Sequence, residues 1–159
     1  MSGTGKSSVI RELAGQGYKA MDADSPEYSE WVEVPGDTSV LGSPEWGSRD
    51  WVWREDRVQA LLSTEDADVL FVSGCAANMG KFLPRFNHVV LLSAPAEVIV
   101  ERLATRTTNT YGKRPEEVAG TLELIETIEP RLRRVADHEI DSSAPLDEVV
   151  AILLRIAGE

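Results

Sequence analysis

The run Gly3-Thr4-Gly5-Lys6-Ser7-Ser8 limits what this chain can fold into more than any other feature of it. It matches the second half of the pattern G-x-x-x-x-G-K-[ST] and is followed at once by Val9, Ile10 and Leu13 at helical spacing, up to Gly17, a residue suited to a helix end. Each part has a physical task. Glycines let backbone N–H groups close around phosphate oxygens, and the helix N-terminus adds positive potential. Lys6 reaches the outer phosphates, and Ser7 is placed to ligate magnesium. The bland alternative is a glycine-rich turn with a solvated Lys6, and the helix that follows argues against it. Counting five residues back from Gly5 falls one position before Met1, so the first glycine of the pattern and the strand ahead of it are missing from this sequence. The expectation is a start assigned too late.

The 159 residues, 42% hydrophobic and 6% aromatic, suffice for one substantial core, so a single domain over 1–159 is expected. A formal charge of -11 argues against nucleic acid, which would call for clustered Lys and Arg; a small molecule is the expected partner. Cys75 is the single cysteine, which excludes a disulfide framework and reads as a small buried filler in a reducing compartment. Apolar runs such as Val89–Leu92 and Val149–Leu154 are much shorter than a membrane span, and the polar N-terminus does not read as a signal peptide. A cytoplasmic protein is expected.

Periodicity orders the chain as helix to about residue 16, strand 18–21, an irregular Pro, Gly and Ser-rich stretch over 25–52, helix 53–63 and strand 68–73. A strand over 88–93, a helix opened by Pro95, a polar segment at 106–115 and a helix over 115–136 that Pro130 should kink come next. An edge strand over 137–141 and a final amphipathic helix carrying Leu146, Val149, Val150, Leu153 and Leu154 close the pattern. Strands alternating with helices predict an α/β fold: a three-layer parallel sheet with helices on both faces, lacking the central strand that would precede Gly3.

With the loop placed, four further stretches carry a resemblance to P-loop kinases of the shikimate-kinase-like and adenylate-kinase-like type, covering most of the chain. They are Asp22-Ala23-Asp24 after the second strand, Gly74 after DVLFVS, Glu101 to Arg106 with Lys113-Arg114-Pro115, and the C-terminal run PRLRRVADHEID with SSAPLDEVV. The resemblance implies that Asp24 lies near magnesium and the phosphoryl acceptor, and that Gly74 begins a substrate turn. Arg106 and Arg114 would close a lid over the nucleotide phosphates, and the loop after Asp141 would touch the base. Arg54 resembles a substrate-carboxylate arginine, with a helix-surface ion pair as its alternative. Ile128 stands where the family has its second carboxylate-binding arginine, which speaks against shikimate itself. Gly3, Thr4, Gly5, Lys6, Ser7 and Ser8 would hold ATP, with Ser7 and Asp24 on Mg2+.

Trp31, Trp46, Trp51 and Trp53 crowd the 25–52 segment and its border, where they wall an acceptor pocket or simply pack the insertion. His88 and His138 read as isolated and structural. The expected activity is transfer of the γ-phosphoryl group of ATP to a metabolite, nucleoside or antibiotic. The alternative is a regulatory nucleotide-binding module that hydrolyses slowly or does no chemistry. A GTPase is disfavoured, because no Asn-Lys-x-Asp segment occurs.

Overall fold

The computed structural model describes residues 2–35, 48–108 and 110–158. The chain forms two compact units, one of Met1–Lys6 with His88–Glu159 and one of Ser7–Asn87. Trp46 and residues 36–47 of the 25–52 segment lie outside the described residues, as does residue 109 of the lid segment.

In the Ser7–Asn87 unit, α1 (Lys6–Gly15) buries Val9 and Leu13, one turn apart on a single face. It stops where Gly17 takes φ +92°, letting Gly17 N–H donate to Ala14 O at 3.0 Å and Tyr18 N–H to Leu13 O at 3.1 Å. These two bonds satisfy carbonyls that a helix end would otherwise leave bare. Strand β1 (Lys19–Asp22) pairs in parallel with β4 (Leu70–Ser73), Asp22 opposite Ser73. Between them run β2 (Ser29–Glu33), β3 (Arg49–Trp53) and α2 (Glu55–Ser63). Strands β2 and β3 form an antiparallel ribbon with Trp31 opposite Trp51, their rings 5.1 Å apart.

That ribbon corrects the irregular reading of 25–52, and it takes Trp53 out of the helix expected over 53–63. The run SEWVE sets Trp31 and Val32 side by side and buries only Ser29, so it offers little strand signal, and the Pro and Gly content of the neighbouring segment hides the rest. The core of this unit gathers Ala23, Tyr28, Trp53, Val58, Leu61, Ala76 and Phe82.

In the other unit, β5 (Val90–Ser93) pairs in parallel with β6 (His138–Asp141). Helices α3 (Ala96–Thr105), α4 (Pro115–Thr127) and α5 (Glu129–Val135) connect them, and α6 (Leu146–Ala157) follows. Ile99 and Leu103 of α3 are completely buried, as expected for residues four apart on one face. Pro130 acts as predicted: α4 ends, Ile128 joins the two helices while staying in the right-handed region at φ -99° and ψ -40°, and α5 restarts with Pro130 in its first turn, where a missing N–H costs nothing. Arg133 bonds both carboxylate oxygens of Glu139, at 2.7 and 2.8 Å, and also Glu129 at 2.8 Å. This clamp ties α5 to β6. His88 and His138, expected to stand alone, lie together with ring centroids 5.5 Å apart. Each parallel pair has two strands among the described residues, and in each the crossover passes through helix.

Candidate functional site

The residues that carry the sequence argument fall in both units, and each group is described within its own. In the Met1–Lys6 and His88–Glu159 unit, the loop turns on two left-handed glycines, Gly3 at φ +82° and Gly5 at φ +89°. A Cβ on Gly3 would stand 2.8 Å from Ile99 Cγ2, so neither the dihedral nor the packing admits a side chain there. Thr4 is buried between them. Lys6 opens α1, at the helix end where N–H groups gather positive potential.

Arg102 is the side chain that fixes this loop from behind. Its guanidinium donates to Gly3 O at 3.3 Å, to Ser142 Oγ at 3.3 Å and to the Ser142 carbonyl. Ser142 is itself buried, and its N–H and hydroxyl both bond Ser93 O, at 2.7 and 3.1 Å. One guanidinium therefore joins the phosphate loop to the turn after β6, the segment expected to reach the nucleotide base. Sequence reasoning missed this role. Arg102 lies beside Leu103 and three residues from Ile99, so the helical pattern already set it next to the face that packs on Gly3.

The segment of the same unit expected to act as a lid, 106–115, is held by its own residues. Lys113 Nζ donates to the carbonyls of Leu103, Ala104 and Arg106 at 2.9, 2.7 and 2.6 Å, capping the C-terminal turn of α3 where a cation is favoured. Glu117 Oε2 accepts from the N–H groups of Gly112, Lys113 and Arg114 at 2.8, 3.1 and 3.2 Å. Desolvation raises its carboxyl pKa, but these amides outweigh that and hold it below the usual range. Of the two expected lid arginines, Arg106 turns into the loop: its Nη2 donates to Tyr111 O at 2.7 Å, and burial lowers its pKa. Arg114 is exposed at the start of α4.

In the Ser7–Asn87 unit, the carboxyl ends of β1 and β4 bring together hydroxyls and carboxylates. The Ser7 hydroxyl donates to Asp22 Oδ2 at 3.3 Å, while Asp22 Oδ1 accepts from Asp24 N–H at 3.0 Å and from Ser73 Oγ at 3.4 Å. Asp22, which the resemblance left without a role, is thus the acid beside Ser7. Asp24 accepts from Cys75 N–H, at 3.0 and 3.2 Å to its two oxygens. Cys75, expected as a small buried filler, is half-buried, and its backbone N–H bonds Asp24.

Gly74 stands between Ser73 and Cys75 for a steric reason. A Cβ there would meet the Trp53 ring at 2.9 Å and Asp24 Oδ1 at 3.0 Å. Trp53 is held in turn by the Asn78 side-chain amide, which accepts from Trp53 N–H at 2.8 Å and donates to Trp53 O at 2.9 Å, and its ring packs 5.8 Å from that of Phe82. Arg54 forms an ion pair, through Nη1, with Glu30 Oε2 at 3.3 Å, across to β2 rather than along its own helix. Ser8 is exposed on the first turn of α1.

Taken unit by unit, each group fits its own part of a magnesium nucleotide. Two left-handed glycines feeding a helix N-terminus are a cradle for phosphate. Ser7 with Asp22 or Asp24 offers the few protein oxygens that a cation retaining most of its waters needs. No group of three or more His, Cys, Asp or Glu able to hold a metal occurs among the described residues, and no helix of theirs is long and apolar enough to cross a membrane.

A glycine-hinged loop running into a helix, followed by a parallel strand pair with acids at its carboxyl end, defines a nucleotide-binding P-loop domain. The chain belongs to the family described as AAA domain, whose model matches residues 1–123. No curated protein gave a match to the chain.

Proposed function

We propose that this chain is an ATP-dependent phosphotransferase that moves the γ-phosphoryl group to a small acceptor such as a metabolite, nucleoside or antibiotic. The observation that carries the reading is the loop from Gly3 to Ser7, with its two left-handed glycines, its lysine at a helix N-terminus and its serine hydroxyl 3.3 Å from a carboxylate oxygen. Bound Mg-ATP supplies the phosphoryl group and much of the charge neutralisation.

The chain's residues position it. The backbone over Gly3, Thr4 and Gly5, with Ser8, cradles phosphate, Lys6 draws on the outer phosphates, and Ser7 with Asp22 and Asp24 orients the cation. Asp24 receives the acceptor's proton and Gly74 leaves room for the acceptor. Arg114 approaches the phosphates from the lid, and Arg106 joins it on leaving Tyr111 O. Arg54 borders the acceptor.

On this reading residues 1–159 are one nucleotide-binding domain, with 25–52 on the acceptor side and 106–115 as lid. The sheet is the three-layer parallel one, supported by the two parallel pairs with helical crossovers. The partner is a small molecule rather than nucleic acid or membrane, in the cytoplasm.

Calorimetric titration with Mg-ATP tests the reading. The chain should bind, and Lys6→Ala should lose at least about tenfold in affinity with an unchanged circular dichroism spectrum. No binding, or equal binding by the variant, defeats it.

A further inference from the structure

Trp53 is 4% exposed, yet its indole Nε1 has no hydrogen-bond partner among the described residues. A buried N–H left bare is costly, and the few that occur in folded proteins mark places where a water or a ligand completes the bond. The indole is not loosely placed. Its backbone is gripped on both sides by Asn78, and its ring packs in the core 5.8 Å from that of Phe82, which holds the indole in place.

That placement is informative. Trp53 Nε1 and Asp24 Oδ1 each lie 3.0 Å from the point where a Cβ on Gly74 would stand, so the two are at most about 6 Å apart, the span that one oxygen bonded to both can cover. One is a donor only and the other an acceptor only. The group that complements both at once is a hydroxyl, whose oxygen accepts from the indole and whose proton points at the carboxylate. A carboxylate has no proton for Asp24, and the charge of a carboxylate or a phosphate would face Asp24 and, two residues away, Asp22. The nearest cation in the chain order, Arg54, is already paired with Glu30.

We infer that Trp53 and Asp24 form the acceptor subsite and select a neutral hydroxyl compound over phosphorylated or carboxylated ones. This rests on the phosphotransferase reading. The acceptor oxygen passes its proton to Asp24 as the new O–P bond forms and the bond from the γ-phosphorus to ADP breaks. Trp53 touches the same oxygen and holds one lone pair aside from the reaction. Gly74 is required because any side chain would fill the approach.

The test follows the indole N–H resonance of Trp53 in 15N-labelled protein bound to a non-hydrolysable Mg-ATP analogue. Trp53→Phe, which deletes the N–H and keeps a ring, assigns the resonance; should it not fold, replacing Trp31, Trp46 and Trp51 in turn assigns it by elimination. Ribose, myo-inositol, adenosine and an aminoglycoside are titrated against AMP, glycerate and inorganic phosphate at equal concentrations.

A shift with one or more neutral probes and none with the anions is expected. Acceptor-dependent ADP release with the same probe should fall roughly tenfold or more in kcat/KM for Trp53→Phe, with the affinity for Mg-ATP unchanged. A response to the anions, or to no probe while the nucleotide analogue is bound, overturns the inference and leaves the nucleotide reading standing. Failure of the analogue to bind at all overturns both, and the titration reports that separately.

Discussion

The two parallel strand pairs each gather their polar chemistry at the carboxyl end, where ligands of open α/β sheets bind, but they finish it differently. At the end of β5 and β6, Ser142 has its N–H, hydroxyl and carbonyl all bonded, the last two to Arg102, and the arrangement is complete without a ligand. At the end of β1 and β4, the carboxylates of Asp22 and Asp24 are shaped by backbone amides, but Trp53 presents a buried donor with no partner among the described residues. One end is a frame closed in the protein itself, the other waits on something from outside. A scaffold that is fully bonded serves to hold a loop still, and a bare donor serves to recognise.

Breaking the closed end should have the largest effect. Arg102→Met removes charge-assisted bonds to Gly3 and to the buried Ser142 and leaves their carbonyls without this donor, so it should cost about 3 kcal/mol in denaturant unfolding and weaken Mg-ATP about tenfold. An equal affinity in the variant would mean that the loop keeps its shape without it. Next comes the open end. Gly74→Ala presses a methyl group on the Trp53 ring, and a loss of about 2 kcal/mol is expected, with acceptor turnover falling more than nucleotide affinity.

The smallest effect lies away from both ends, at the Arg133 clamp on Glu139. The Arg133 bond, helped by Ser93, holds the Glu139 carboxyl at about 2, well below its ordinary 4.5. A depressed carboxyl stabilises the fold above its unfolded value and loses that contribution as pH falls through the folded one. The melting temperature of Glu139→Gln should therefore trail the parent's at neutral pH, with the gap shrinking between about pH 4.5 and about pH 2. A gap that stays constant across that range would assign the difference to packing.

Much of this was open to reading from residues alone, and the reason differs by element. The loop was legible because six consecutive residues carry it and a helix must follow. The Pro130 break was legible because a missing N–H is a local fact. The β2 and β3 ribbon was not, since its paired residues, from Glu33 with Arg49 to Ser29 with Trp53, are far apart in the chain and SEWVE shows no apolar–polar alternation. Arg102 was passed over for Arg106 and Arg114 because the resemblance rewards arginines near the lid proline, whereas the bonds to Gly3 and Ser142 span 99 and 40 positions. The pairing of His88 with His138 was hidden for the same reason. Trp53 and Trp31 look alike in sequence; only packing separates a ring closed in the core from one 42% exposed beside Arg49.

The Glu117 carboxylate has a consequence for how the proposed lid would meet a nucleotide. Three successive amides that would make a fine anion cradle already hold an anion, one that the helix they introduce supplies. On the proposed reading, an arriving phosphate would find those donors engaged and meet the exposed Arg114 side chain instead. Attraction of that kind acts at a distance and through water, so the lid's share of nucleotide affinity should fade as salt is added, while the loop's share, built of backbone, persists.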